Sequence, residues 1–216
     1  MNDRQPQRTP AKVWSEMVRG NQRFVAGEPL HPRQDAERRA ELANAQHPSV
    51  ALFGCADSRL AAEIIFDKGL GDLFVVRNAG QVIGESIIGS LEYAVAVLGV
   101  PLIVVLAHDS CGAVSAAIQS RAADAPRLPT HVHSIVGTIL PAVIGVAGDD
   151  VLDPNEVDPA EVGLRHLRNT VTQLVARSEL ISDAVAAGTL AVVGANYRLA
   201  DGRVEAPFVV GSIDLE

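Results

Sequence analysis

"LIVVLAHDSCGAV", residues 102–114, decides the fold, because it joins an apolar run to the polar residues that end it. The first five residues are aliphatic, mostly β-branched, and do not alternate with polar ones. Such a run is typical of a strand that is buried on both faces of a parallel sheet. The polar residues that follow, including His108 and Cys111, predict a turn into a helix at the carboxyl end of this strand.

Three further runs have the same character: Val50–Gly54, Leu73–Val76 and Leu190–Val193. Helical patterns lie between the runs and cover Ser86–Leu98 and Glu161–Ala187. This alternation predicts an α/β fold with an open, mostly parallel sheet of four strands and helices on both faces. Arg203–Gly211 follows a tight turn and predicts an additional antiparallel edge strand.

The length of 216 residues fits one domain in all, which we divide into two parts. Residues 1–46 are predicted to form an N-terminal helical arm, and residues 47–216 the α/β domain that carries the candidate site. Within the arm, one apolar helical stripe comprises Trp14, Met17, Val18, Phe24 and Val25. The stripe fits either packing on the same domain or contact with a partner subunit.

Composition excludes several classes of function. A formal net charge of -8 argues against a nucleic-acid partner, which requires a basic surface. The apolar tract Ile87–Ala107 contains Glu92, Gly99 and Pro101, so it predicts a buried helix and a strand, with no membrane span. Two cysteines do not make a disulfide scaffold, and no N-terminal apolar segment resembles a signal peptide. We therefore expect a protein of the reducing cytoplasm.

Three residues at the predicted strand ends form a candidate metal site. Cys55 ends the first strand, and His108 and Cys111 follow the third, so all three converge if these strands are neighbours. Two thiolates and one imidazole are ligands that zinc prefers, and three protein ligands leave a fourth position open for catalysis. Zinc in such a site lowers the pKa of a bound water. His166 is expected on the polar face of its helix, outside this set.

Asp57 has two possible roles, since it lies two residues after Cys55. It can close the site as a fourth zinc ligand. Alternatively, it can pair with Arg59, which points to the same side of an extended segment, and so stay beside the metal without binding it. In that second arrangement its oxygen accepts a hydrogen bond from the zinc-bound hydroxide. An ordinary salt bridge at a helix start is the simpler alternative.

These residues resemble the β-class carbonic anhydrases. The family pattern C-x-D-x-R followed by H-x-x-C is present as Cys55-Ala-Asp57-Ser-Arg59 and His108-Asp-Ser-Cys111. Residues 72–80, "DLFVVRNAG", and 89–100, "GSLEYAVAVLGV", are also similar to family segments. The resemblance is dense over residues 46–114 and weaker in the flanking helices.

The resemblance implies a role for each matching residue. Cys55, His108 and Cys111 would bind zinc, and Asp57 and Arg59 would form the catalytic dyad, with Asp57 on the metal only in a closed state. The implied substrate-binding residues are Gln46, Phe74, Tyr93 and Gly112. The implied partners are carbon dioxide and bicarbonate, together with a second copy of the chain in a homodimer, or a tetramer, whose leading helices embrace the other subunit.

The implied function is the reversible hydration of carbon dioxide to bicarbonate and a proton by zinc-bound hydroxide. Two alternatives stay open at this point: hydrolysis of carbon disulfide or carbonyl sulfide at the same site, and a zinc-binding structural module without turnover. The sequence also departs from the family. Ala113 replaces a frequent glycine, and Leu52 stands where some members carry a tryptophan of a regulatory bicarbonate pocket. We therefore expect no such pocket, although its matching Arg77 and Tyr93 are present.

Overall fold

Five strands form one sheet in the computed structural model, which describes residues 8–213. The strands are β1 (Val50–Cys55), β2 (Leu73–Asn78), β3 (Leu102–His108), β4 (Ala191–Tyr197) and β5 (Val204–Val210). Their order across the sheet is β2-β1-β3-β4-β5. Strands β1 to β4 run parallel and β5 pairs antiparallel with β4, which confirms the predicted fold. Because β1 and β3 are neighbours, Cys55 and His108 end adjacent strands.

Eight helices surround this sheet in the described part of the chain. They are α1 (Pro10–Ala26), α2 (Ala36–Glu41), α3 (Ala62–Ile65), α4 (Glu85–Ala96), α5 (Gly112–Gln119), α6 (Thr130–Ala147), α7 (Pro159–Arg177) and α8 (Glu179–Ala186). Both faces of the sheet are covered, which explains why its central strands do not alternate. Leu52 and Val104 pack mainly with α1, α3, α5 and α6, whereas Phe53 and Val105 pack with α4, α7 and α8.

The helical pattern over residues 161–187 is divided between two helices, α7 and α8, at Ser178. Ser178 has an extended backbone, with φ of -125° and ψ of 105°, so it ends one helix and begins the next. Its hydroxyl oxygen accepts a hydrogen bond from the backbone N–H of Ile181, as an N-cap does, and its hydroxyl donates to the Glu92 carboxylate on α4. The break lets α8 pack on α4 while α7 follows the sheet.

Helix α1 packs on its own domain in this chain. Val13, Trp14 and Met17 are buried in the core of the same chain, beside Phe66 after α3. The Asn21 amide donates to the carbonyls of Ile65 at 3.1 Å and Gly202 at 2.8 Å, and its oxygen accepts from the N–H of Val204 at 3.0 Å. These bonds tie α1 to the turn between β4 and β5. Residues 1–7 of the predicted arm lie outside the described residues.

The contact between α1 and α3 depends on Gly20, and replacing it should destabilise the fold. A Cβ at Gly20 would lie 1.9 Å from the backbone oxygen of Phe66, so the two helices must separate. We expect Gly20→Ala to lower the free energy of unfolding by about 1–3 kcal/mol, the usual cost of an oversized core group. Chemical denaturation measures the loss.

The matched control is Gly137→Ala on helix α6, where, within residues 8–213, no atom beyond the backbone of its own helix and its chain neighbours lies within 4 Å of the added Cβ. Alanine favours a helix over glycine, so this variant should be neutral or more stable by up to about 1 kcal/mol. Equal stability of the Gly20→Ala variant and the wild-type protein would contradict the close contact.

Helix α6 is long and apolar enough, by length and composition, to cross a membrane. One such helix is weak evidence for a membrane, because core helices of soluble proteins meet the same criterion. In this protein α6 packs against α5 and α7 and buries Val136, Ile139, Ala142 and Val143. The sequence analysis considered residues 87–107 instead, which form α4 and β3 within the sheet layers.

Candidate metal centre

The fold brings two cysteines and a histidine together at the carboxyl edge of the sheet. Cys55 is the last residue of β1, His108 the last of β3, and Cys111 immediately precedes α5. One ligand atom from each lies within 4.8 Å of those of the other two. Between His108 and Cys111 the chain reverses through Ser110, whose φ of +50° is unusual for a residue other than glycine. This turn lets both side chains of H-x-x-C face Cys55.

The donor set fits a metal ion. All three residues are buried, with exposed fractions of 5% for Cys55, 3% for His108 and 6% for Cys111. The Nδ1–H of His108 donates to the Asp109 carbonyl at 2.7 Å, which leaves the lone pair of Nε2 available to a metal ion. Nε2 is buried and has no hydrogen-bond partner among the described residues. A buried imidazole nitrogen that faces two thiols is satisfied by zinc coordination.

Hydrogen bonds prepare the Cys55 sulfur to act as a thiolate. A hydrogen bond from Cys111 is the main cause that lowers the pKa of the Cys55 thiol, against the effect of burial. The same bond raises the pKa of Cys111. The backbone N–H of Gly80 donates to Cys55 Sγ at 3.3 Å, and Arg77 Nε donates to the Cys55 carbonyl at 3.0 Å.

Asp57 and Arg59 form the expected ion pair beside this centre. Arg59 donates to Asp57 Oδ1 through Nε at 2.9 Å and to Oδ2 through Nη2 at 2.8 Å. These hydrogen bonds hold the pKa of the Asp57 carboxyl well below its usual range. Asp57 Oδ2 lies 3.9 Å from His108 Nε2, so the carboxylate borders the cluster of metal donors. Arg59 Nη2 also lies 3.3 Å from the Ser110 carbonyl, which joins the pair to the H-x-x-C turn.

The four substrate-binding candidates divide into two groups. Gly112 begins α5, directly after Cys111. Phe74 lies near the start of β2, where it pairs with Ala51, whereas Cys55 pairs with Asn78 at the end of that strand. The ring centre of Tyr93 is 6.1 Å from that of Phe74. The structure therefore places Phe74 and Tyr93 towards the amino ends of the strands, away from the metal donors of the same chain.

Gln46 lies at that amino end as well. It is exposed and precedes β1, whose entry is fixed by the hydrogen bond from the N–H of Ser49 to the Asp72 carbonyl. A strand rises about 3.3 Å per residue, so Ser49 and Cys55 are separated by about 20 Å. Gln46 lies only three residues before Ser49. Within one chain, Gln46 and Cys55 are at opposite ends of β1.

Sequence reasoning did not place three residues beside Cys55 that the structure finds there: Arg77, Gly80 and His166. The expectation for His166 was wrong, since it is 2% exposed and its Nε2 lies 2.7 Å from the Gly80 carbonyl. Burial lowers the pKa of His166, which favours the neutral form of the ring. The available signal was the glycine that ends "RNAG", residues 77–80, because a glycine after a strand indicates a tight backbone turn. No comparable signal marks His166.

The fold and the donor set define an α/β metalloprotein whose metal centre lies at the carboxyl edge of a parallel sheet. Comparison with known proteins then gives the family. A family model described as carbonic anhydrase matches residues 50–204, and the chain belongs to this family.

Relatives match over nearly the whole chain. A carbonic anhydrase of Mycolicibacterium smegmatis is 50% identical over 96% of this chain and 98% of its own length. Carbonic anhydrase 2 of Mycobacterium tuberculosis is 50% identical over 98% and 99%. Among solved structures, a tetrameric β-carbonic anhydrase of Sordaria macrospora has a TM-score of 0.67 and 25% identity, and the match covers 78% of this chain and 85% of that one.

These matches establish the activity at the level of the family. The protein is a β-class carbonic anhydrase, a lyase that uses zinc and interconverts carbon dioxide and bicarbonate. They support this function and neither of the two alternatives, the carbon disulfide or carbonyl sulfide hydrolase and the zinc module without turnover.

Proposed function

We propose that Cys55, His108 and Cys111 hold the zinc ion and that Asp57 and Arg59 orient the reacting water beside it. The observation that carries this assignment is the convergence of the three donor atoms within 4.8 Å. Zinc at this position supplies a Lewis acid that makes water a nucleophile at neutral pH. The side chains of this chain supply the remaining requirements, namely orientation of that water and a place for the substrate.

The Asp57–Arg59 pair provides the orientation. Both Asp57 oxygens are engaged by the Arg59 guanidinium, so the carboxylate is fixed in direction and remains ionised. Asp57 Oδ1 accepts from both the backbone N–H and Nε of Arg59, whereas Oδ2 accepts from Nη2 and has a further lone pair, which can accept a hydrogen bond from the water that attacks carbon dioxide. Gly112, with its N–H at the start of α5, is suited to contact the bicarbonate product. In a closed arrangement, Asp57 would release Arg59 and become a ligand itself.

We propose that Gln46, Phe74 and Tyr93 complete the site of a second copy. Strand β2 is the outer strand at one edge of the sheet and has no further strand beside it within residues 8–213, and nearby on α4 Tyr93 and Val97 are 44% and 64% exposed. A two-fold axis perpendicular to the sheet beside β2 brings the amino end of one strand next to the carboxyl end of the other. The amino-end residues of one chain then face Cys55 of its partner. Phe74 and Tyr93 give the apolar surface that suits carbon dioxide.

Mixing two defective variants tests this shared site. Gln46→Ala chains keep the metal donors, and Cys111→Ser chains keep Gln46. A hybrid dimer has one complete site, so an equal mixture should regain about a quarter of the wild-type carbon dioxide hydration, since about half the dimers are hybrids. Stopped-flow assays measure the rate, and native mass spectrometry counts the hybrids. Hybrids without recovered activity would place the whole site within one chain.

Two further proposals concern the assembly of the protein and its location in the cell. The tetrameric Sordaria relative supports assembly of such dimers into tetramers. We also propose a cytoplasmic location, because both cysteines are free in the structure and a reducing compartment keeps them available as thiolates.

A further inference from the structure

A chain of contacts leads from helix α7 to the sulfur of Cys55. His166 on α7 lies 2.7 Å through Nε2 from the Gly80 carbonyl oxygen, and the N–H of Gly80 lies 3.3 Å from Cys55 Sγ. A carbonyl oxygen only accepts hydrogen bonds, so His166 Nε2 carries the proton and donates it. One residue of backbone therefore connects a buried histidine to a metal donor.

The backbone between these contacts has an unusual conformation. Gly80 has a φ of +73°, a value that glycine adopts more readily than any other residue. The next residue, Gln81, also has a positive φ, of +40°. A Cβ at Gly80 would lie 2.8 Å from Ala113 Cβ and 3.1 Å from Ile139 Cδ1. The turn is thus packed closely against α5 and α6. Gly80, whose N–H contacts Cys55 Sγ, has no side chain that would collide with these helices.

We propose that His166 is a positioning residue of the metal centre, which holds the Gly80 carbonyl and so keeps the Gly80 N–H directed at Cys55 Sγ. The proposal rests on the assignment of Cys55 as a zinc ligand. A glycine turn has little stiffness of its own, so an anchor on its carbonyl restricts the rotation that would turn the N–H away. The N–H···S hydrogen bond stabilises the thiolate and fixes the direction of its lone pairs.

A merely structural role for His166 leads to a different expectation. If the ring only fills space between α7 and the turn, its replacement lowers stability and leaves zinc affinity unchanged. Zinc affinity, measured on the purified protein by competition with a chromophoric chelator, therefore separates the two roles. It does so without reference to catalytic activity.

Three variants of His166 form the experiment. Glutamine places its amide N–H close to the position of the histidine Nε2, asparagine places it nearer to Nδ1, and leucine has no donor. We expect zinc affinity in His166→Gln within about threefold of wild type, and a loss of about 10- to 100-fold in His166→Asn and His166→Leu, the usual range for groups that orient a ligand. Thermal unfolding of each variant measures the loss of packing separately.

Thr170→Val is the matched control. Thr170 lies one turn further along α7, and its hydroxyl contacts the carbonyls of His166 at 2.9 Å and Gln81 at 3.5 Å, outside the path to Cys55. This variant should bind zinc as the wild-type protein does. If His166→Leu does not fold, the comparison of zinc affinity between the asparagine and glutamine variants distinguishes the positioning role from a merely structural one.

Wild-type zinc affinity in His166→Asn, or an equal loss in His166→Gln and His166→Asn, would overturn the proposal. A Cys55→Ser variant tests the ligand assignment independently. Its loss of zinc together with unchanged affinity in all His166 variants would refute only the positioning role, whereas its retention of wild-type affinity would refute the assignment of Cys55.

Discussion

We expect the Cys111→Ser variant to lose zinc and, with it, the hydration of carbon dioxide. Structural zinc sites with four ligands bind with roughly 10–16 kcal/mol, so one ligand accounts for about 2.5–4 kcal/mol. This corresponds to a loss of about 100- to 1000-fold in affinity. Serine has nearly the shape of cysteine and is a favourable residue before a helix, so α5 should still begin at Gly112. Metal analysis after dialysis and stopped-flow hydration assays measure the two losses.

Ser115→Ala is the control for this experiment, because Ser115 lies one turn further along α5 and is exposed. It should retain one zinc ion per chain and full activity. A Cys111→Ser protein that holds zinc with wild-type affinity would show that the donor set differs from Cys55, His108 and Cys111.

The Asp57→Ala variant should separate the two properties, with zinc retained and turnover lost. Asp57 faces the metal donors while its two oxygens are held by Arg59, so its removal leaves the ligands in place and removes the carboxylate that we propose orients the water. We expect kcat/KM for carbon dioxide hydration to fall by about 100-fold or more, as misplacement of a reacting group does. Stopped-flow assays on metal-analysed protein measure it.

The control is Asp149→Ala, which breaks the ion pair of Arg121 and Asp149 on the surface and should leave the rate unchanged. If Asp57→Ala retains both zinc and full turnover, the carboxylate is only one side of a salt bridge at a helix start.

The sequence alone was sufficient to predict the parallel sheet and the convergence of the three metal donors at one edge of it. Buried parallel strands lack alternation, and Leu52 and Phe53 show why, since they pack on opposite faces of the same sheet. Once β1 and β3 are neighbours, Cys55 and His108 must lie at one edge. Local chemistry and topology therefore determine this part of the site.

The remaining features depend on contacts that no local pattern contains. His166 looks like a polar-face residue of a long helix, and only the packing of α7 on the Ala79–Gln81 turn buries it. The helical spacing of apolar residues continues past Ser178, so the sequence shows no break there. The break between α7 and α8 follows from the hydrogen bond of Ser178 to Glu92 on another helix. Gln46 is close to Cys55 in sequence, yet the extended strand between them carries the two residues far apart.

The hydrogen bonds of Asn21 have a consequence for the order in which this protein is completed during synthesis. Its partners Gly202 and Val204 follow it by 181 and 183 residues. Ribosomes add about 5–20 residues per second, so helix α1 waits about 10–40 seconds before these partners exist. Its docking can be completed only when the last hairpin has emerged. Helix α1 is thus made early and secured late, and a nascent chain that stops before Gly202 cannot form this closure.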